Sequence, residues 1–291
     1  MKMKIIVYFL LLSAGFTSCQ AKFSREIPEK KDSLYESRDL EIVEMILQRY
    51  AGEGESGTGE LVAEIGRQFL ETPYVGHTLE KGDTEKLVIN LRELDCTTFA
   101  ENCLALARTA QMRKPNFGKF AKELEKIRYR EGVRDGYASR LHYFSDWIYD
   151  NEKKKVVKDV SRGIAHLLMP NQVNFMTTHP ANYPLLKDNP AVIAEIAAIE
   201  KEISGRMTWF IPKDKVSVLE GELKNGDILG LTTGIEGLDV SHVVIALRID
   251  GHIRFIHASS KEKKVVISEE TLEEYLKKSK MTTGIMVARP V

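Results

Sequence analysis

Three observations predict an α+β fold. Apolar residues recur at helical spacing through most of the chain before residue 132 and again over 190–204. From Val216 onward the pattern changes to short strand-like runs, separated by turn residues. Asp250-Gly251 joins two of those runs, and this dipeptide is the strongest short hairpin signal. Helices first and strands afterwards predict helices packed on an antiparallel sheet. The composition fits this: 291 residues, 43% hydrophobic and 29% charged, describe an ordinary globular chain with enough length for a sizeable core. Its 42 Lys+Arg balance 42 Asp+Glu, so nucleic-acid phosphates meet no basic excess and no nucleic-acid partner is expected. Three cysteines can form neither a disulfide scaffold nor a four-cysteine zinc site.

The elements follow in order. Lys2 and Lys4 precede roughly ten apolar residues, the pattern of a secretory signal over 1–18 and too short to span a bilayer. Small residues then lead to Cys19, as in a lipobox, although Phe16 stands where that motif prefers Leu. Lipidation at Cys19 would tether the protein to a membrane face, and simple cleavage nearby would release it. Loss of residues 1–18 removes two lysines and no acid, leaving a charge of −2. Residues 19–36 are polar and read as a tether, and 37–291 as one catalytic domain. Residues 37–50 are amphipathic, with Leu40, Val43, Ile46, Leu47 and Tyr50 on one face. A glycine-rich break over 52–59 leads to a second helix, 61–70, closed by Thr72-Pro73. A third begins at Cys96, and 116–131 and 190–204 also read as helices. The Pro-, Asn-, Tyr- and His-containing stretch from about 132 to 190 has no clear period. Strands are expected over 227–232, 240–248, 253–258, 264–267 and 284–288, with a helix over 272–278.

Cys96 and Cys103 share one helix and lie about 10 Å apart along it, too far for a disulfide. In an exported protein both thiols therefore stay free. Cys103 falls on the apolar face with Phe99 and Leu106 and reads as core. Cys96 would be the first helical residue after Asp95 as N-cap. Unpaired N–H groups and the helix dipole at that point favour a thiolate and can hold an oxyanion. The element alone is equally consistent with an inert, buried Cys96.

The hairpin adds two histidines. If Asp250 and Gly251 form a two-residue turn, Ile249 faces His252, and His242, Val244, His257 and Ser259 share one face. His242 and His257 are then diagonal neighbours within side-chain reach, unless a bulge intervenes. In a thiol hydrolase one histidine takes the thiol proton and a second polar group orients it, and Cys96, His242 and His257 can fill those roles. One Cys and two His could instead bind zinc, but no fourth ligand stands at convincing spacing; no metal or cofactor is expected.

Leu94-Asp95-Cys96-Thr97-Thr98-Phe99, Asn225-Gly226-Asp227-Ile228-Leu229, Ser241-His242-Val243-Val244-Ile245-Ala246 and Ile256-His257-Ala258, in this order, resemble the NlpC-type papain-fold cell-wall hydrolases. Thr72-Pro73-Tyr74-Val75-Gly76, Ser139-Arg140-Leu141-His142-Tyr143 and the segment near Asn174 to Pro184 resemble one branch. That branch, first a domain of unknown function, comprises N-acetylmuramoyl-L-alanine amidases favouring 1,6-anhydro-muramyl peptides. The resemblance covers roughly residues 37–291. It implies a papain-like core, with Cys96 as nucleophile, His242 as base and His257 as orienting residue. It implies that Tyr74 lies beside the nucleophile and assists at the oxyanion, and that Asp95 and Ser241 touch the peptide. Asp95 serves equally as an N-cap. Arg140 and Tyr143 match the branch's own motif, as ligands of a sugar or carboxylate; Arg140 reads equally as a surface ion-pair partner. His142 and His179 read as structural. Cys96 and His242 are 146 residues apart, more than minimal domains of this type need, so about 110–215 reads as an insertion that walls the cleft and narrows specificity.

These features imply a periplasmic, monomeric amidase acting on a muropeptide. Two alternatives stand: a γ-D-glutamyl-diaminopimelate endopeptidase of the same superfamily, and a non-catalytic peptidoglycan-binding lipoprotein.

Overall fold

A computed structural model describes residues 33–52, 57–170 and 172–291. The expected signal segment, Cys19 and most of the tether lie outside the described residues. The tether's last residues are already part of the fold: β1 (Ser33–Leu34) pairs in parallel with β2 (Leu87–Val88). Among the described residues no helix is long and apolar enough to cross a membrane.

Helix α1 (Ser37–Tyr50) opens with a capping box between Glu36 and Asp39, and buries the predicted Val43, Ile46, Leu47 and Tyr50. Helix α2 (Thr58–Gln68) starts inside the expected break, with Glu60 in its first turn to suit the helix dipole. Helix α3 (Cys96–Ala110) is the hub, packed on both of these and on the sheet. Asp95 Oδ1 accepts Thr98 N at 2.8 Å and Thr98 Oγ1 accepts Asp95 N at 2.9 Å, so two orphan donors are satisfied at once. Its alanines at 100, 105, 107 and 110 allow close neighbours, and Cys103 is wholly buried, as expected. Helix α4 (Phe117–Arg128) is capped by Asn116, whose side chain accepts Lys119 N.

The sheet consists of β3 (Val157–Asp159), β4 (Leu167–Leu168), β5 (Trp209–Pro212), β6 (Ile228–Thr233), β7 (Val240–Ile249), β8 (His252–Ser259), β9 (Lys264–Ile267) and β10 (Thr282–Pro290). Its order is β4-β5-β10-β6-β7-β8-β9, with β3 also on β10, and every pairing is antiparallel. Val243, Ile245, Ile256 and Ala258 face the helical layer; Val244, Ala246, Ile253 and Phe255 face Leu272 and Leu276 of a second, smaller layer. Because both faces are covered, β7 is buried continuously from Val243 to Leu247.

Asp250 and Gly251 both take positive φ, 52° and 85°, as a two-residue primed turn requires. Ile249 faces His252, the predicted register, which holds back to Ile245 facing Ile256. A bulge does occur, but between β6 and β7: Leu231 faces His242 and Thr232 faces Val240, leaving Ser241 as the extra residue.

Asn225-Gly226-Asp227 locks the entry to β6. Asn225 Oδ1 accepts Arg248 N at 2.6 Å, and both Asp227 oxygens accept from Arg289. Gly226 has φ +76°, and a Cβ there would lie 1.8 Å from Gly59 O. Gly226→Ala is therefore expected to lower unfolding free energy by about 2–4 kcal/mol in urea denaturation, from backbone strain plus the clash.

The stretch expected as an insertion is only partly peripheral. Helix α5 (Phe144–Lys153), which the sequence reading left without an element, puts Phe144, Trp147 and Ile148 into the main core beside Phe117, Phe120 and Ile127 of α4. Strands β3 and β5 extend the sheet. A satellite cluster of Tyr137, Tyr143, Val173, Met176, Leu186, Ile196 and Ile203 holds the remainder, including the Pro190–Ser204 helix.

Candidate active site

Cys96 is half-buried at the start of α3, and its N–H has no acceptor among the described residues. Beyond Ile245 and Ile256, β7 and β8 no longer pair. There the backbone of Val243 is hydrogen-bonded to the Cys96 sulfur. The nucleophile candidate thus meets β7 one residue from His242, where the neighbouring strand has parted from it. Thr97 adds a backbone bond and its hydroxyl, 4.0 Å from Sγ.

The two histidines meet as the hairpin register predicted. His242 Nε2 lies 2.6 Å from His257 Nδ1, with the rings edge to face. Phe255 packs edge-on against His257, which is buried. Burial holds both imidazoles well below their usual range, His242 to about 3 and His257 to about 4, so both are neutral near pH 7. At Cys96 the helix start does not prevail. Burial, then the Asp95 carboxylate, push its thiol up to about 11, outweighing the bonds from Val243 and Thr97. The site therefore pairs a neutral thiol with neutral imidazoles, and no hydrogen bond joins Cys96 to His242. Alkylation of Cys96 by iodoacetamide is expected to rise about tenfold per pH unit between pH 6 and 9, because the thiolate fraction does so below the thiol pKa. A plateau near pH 7 would reveal a preformed ion pair instead.

Tyr74 is carried to the same place by backbone pairing. Its N–H donates to Lys263 O, and flanking bonds join Pro73 and Val75 to Leu94, beside Asp95. Burial, then Cys96 and Asp95, raise its phenol pKa, so it stays a hydrogen-bond donor. Ser241, exposed on its bulge, lines the cleft with Cys96 and His242. Among the described residues no group of three or more His, Cys, Asp or Glu could hold a metal ion.

Arg140 and Tyr143 lie elsewhere. Arg140 is buried and reaches Glu80 at 2.9 Å and Glu85 at 3.0 Å, over the ring of Tyr137. Tyr143 OH donates to Glu200 Oε1 at 2.7 Å and accepts from Met176 N at 3.0 Å. Neither lines the cleft with Cys96 and His242: Arg140 Nη1 and Nη2 are held by Glu80 and Glu85, and the Tyr143 hydroxyl by Glu200 and Met176 N, contacts that tie the satellite cluster and the segment around residue 80 to the domain.

The model of the AmiA-like family, described as N-acetylmuramoyl-L-alanine amidase-like, matches residues 64–285. The chain belongs to this family. In the matched span the amidase-like chain carries all eight residues singled out above. It resembles a crystal structure of an N-acetylmuramoyl-L-alanine amidase from Bacteroides uniformis at 39% identity and TM-score 0.77, over 80% of this chain and 99% of that one. A Bacteroides fragilis protein whose name proposes a xylanase is 44% identical, with TM-score 0.75, over 78% and 99% of the two chains. A Legionella pneumophila protein shares the fold at 21% identity and TM-score 0.64, over 88% and 97%. No curated protein matches.

The cleft also contains residues that sequence reasoning missed. Glu101, Leu141, His142, Phe144, Trp147 and Asp239 line it with Cys96 and His242. Glu101 is paired to Arg128 at 2.7 Å, and Asp239 accepts from Ser145 N and Val240 N. His142 alone carries a signal, its place in the Ser139–Tyr143 motif, which does not distinguish a cleft residue from a structural one.

Proposed function

We propose that this amidase-like chain hydrolyses the amide between the lactyl group of N-acetylmuramic acid and L-Ala, acting on 1,6-anhydro-muramyl peptides. The observation that carries the reading is the 2.6 Å bond between His242 and His257, set beside a cysteine on the first turn of a buried helix. A central helix bearing the nucleophile and a sheet bearing its base are the plan of a papain-like core of the NlpC type.

The chemistry follows from the tautomers. If His242 Nε2–H donates to His257 Nδ1, His242 Nδ1 keeps the lone pair that accepts the thiol proton. Proton transfer accompanies attack, since thiol and imidazole are both neutral at rest. Cys96 Sγ bonds to the lactyl carbonyl carbon, and the oxyanion is held by Cys96 N–H with Tyr74 OH. Imidazolium His242 then protonates the departing L-Ala amine as the C–N bond breaks. Water, losing a proton to His242, attacks the thioester and returns the free acid and the thiol. No step requires a metal.

A xylanase reading fits the site less well. Glycosidases use two carboxyl groups flanking the bond, and the cleft's Glu101 and Asp239 are each held by buried partners. The reading also includes export through residues 1–18, periplasmic location and a tether at Cys19; the mature charge of −2 suits a small glycopeptide, not a polyanion. Mass spectrometry of products from an anhydro-disaccharide tetrapeptide tests the function. Free disaccharide plus intact tetrapeptide is expected. A shortened stem would instead mean the endopeptidase, and no turnover a binding protein.

A further inference from the structure

The search for unassigned chemistry leads to His142. It stands in the wall of the Cys96 cleft, next to Leu141, Phe144 and Trp147. Its Nε2 lies 3.0 Å from Tyr137 O. A carbonyl oxygen only accepts, so Nε2 carries the proton, and in a neutral ring Nδ1 is then a lone-pair acceptor. Nδ1 has no protein partner among the described residues. Burial, then the Arg140 charge, hold the imidazole down to about 3, so the ring is neutral at any working pH.

The ring is also held in place. It lies against Tyr137 with centroids 4.5 Å apart, and the Arg140 guanidinium sits 4.7 Å from the centre of the same tyrosine ring. Arg140 is fixed in turn by Glu80 and Glu85. Glu80 and Glu85, Arg140, Tyr137 and His142 therefore form a buttress. It ends in one fixed acceptor atom on a mostly apolar wall. A rigid acceptor facing the cleft discriminates, because a ligand that covers it without a donor at that point takes it out of water and leaves it unpaired.

We propose that His142 is a specificity-determining residue, whose Nδ1 accepts a hydrogen bond from an O–H or amide N–H of the glycopeptide held beside Cys96. The inference rests on the function proposed above for the identity of the ligand. It also assigns Arg140 and Tyr137 a supporting role behind His142 in place of direct substrate contact.

Asparagine and glutamine separate the two nitrogens. In His142→Asn the amide oxygen stands near the Nδ1 position and the anchor to Tyr137 O is lost. In His142→Gln the amide N–H stands near Nε2, keeping the anchor and losing the acceptor. Binding of the anhydro-disaccharide tetrapeptide is measured by calorimetry on full chains that also carry Cys96→Ala, so that turnover is not needed. His142→Gln is expected to weaken binding about tenfold or more, and His142→Asn by less than about threefold. The reverse order, Asn impaired and Gln tolerated, is what a purely structural histidine gives, and overturns the proposal. The same titrations with free anhydro-disaccharide and free tetrapeptide locate the donor: the component whose affinity His142→Gln reduces carries it, and loss for neither overturns the idea. Glycopeptide binding without cleavage by the unsubstituted protein sinks the amidase reading and leaves His142 supported. Absence of binding to the Cys96→Ala parent sinks both.

Discussion

Cys96→Ala is expected to lower turnover of an anhydro-muramyl peptide by about 10⁴-fold or more, while the protein stays folded. The size of the effect follows from the roles. Without the sulfur no thioester forms, and what remains is water attack assisted only by the oxyanion donors. Stability should change by less than about 1 kcal/mol, because Cys96 is half-buried and the substitution removes one atom. The cap on α3 is made by Asp95 and Thr98, so the helix start survives. Turnover and melting temperature measured on the same preparation separate the roles. Turnover within tenfold of the parent would end the cysteine mechanism, and a collapse in melting temperature would show that Cys96 holds the fold.

The largest stability effect is expected from Arg128→Met. Arg128 is almost fully buried, donates from Nε to Glu101 Oε2 at 2.7 Å, and from Nη1 to Val88 O at 2.6 Å. Removing it leaves the Glu101 carboxylate in the core without its cation, which costs about 3–5 kcal/mol. Met preserves much of the volume, so cavity formation adds little. The second substitution Glu101→Leu in the Arg128→Met background should recover most of that loss, since breaking a buried pair costs far more than replacing both partners. Urea denaturation of the four proteins in the cycle checks this. A loss from Arg128→Met that Glu101→Leu fails to restore would mean that the bond to Val88 O, and with it β2, is what Arg128 protects. Glu101 also lines the cleft, so an unpaired carboxylate there would add to the Asp95 charge that disfavours the Cys96 thiolate.

Much of the fold was legible because local patterns agreed with burial. Helix α1 has the predicted limits, and the 272–278 helix and the β7–β8 register also match. Helix α5 was not legible for a physical reason. Its buried face carries Asp146, Asp150 and Asn151 among its apolar residues, which destroys the hydrophobic period. Those polar groups are tolerated because partners outside the helix reach each residue: Arg130 and Arg206 pair with Asp146, Glu131 N donates to Asp150, and Asn151 Nδ2 donates to Ile127 O. The same limitation left two readings of Arg140 open in the Ser139–Tyr143 motif. Arg140 and Tyr143 find their partners about 55–60 residues away, at Glu80, Glu85 and Glu200, and nothing local announces that distance.

By itself the sequence determined that Cys96 begins a capped helix, and that two histidines share one face of a two-residue hairpin. Both depend on short-range geometry: the 3.6-residue turn, the two-residue strand alternation and the positive φ of Asp250-Gly251. Only the tertiary structure decided that β7 and β8 part beyond Ile245, leaving the Val243 backbone to meet the Cys96 sulfur. It also decided that the resting thiol is neutral, because burial and a neighbouring carboxylate outweigh the helix start. And it decided that His142, not Arg140, lines the cleft, because Glu80 and Glu85, about 55–60 residues away in sequence, draw the Arg140 guanidinium to their side of Tyr137, while His142 stands beside Leu141 and Phe144 in the cleft wall.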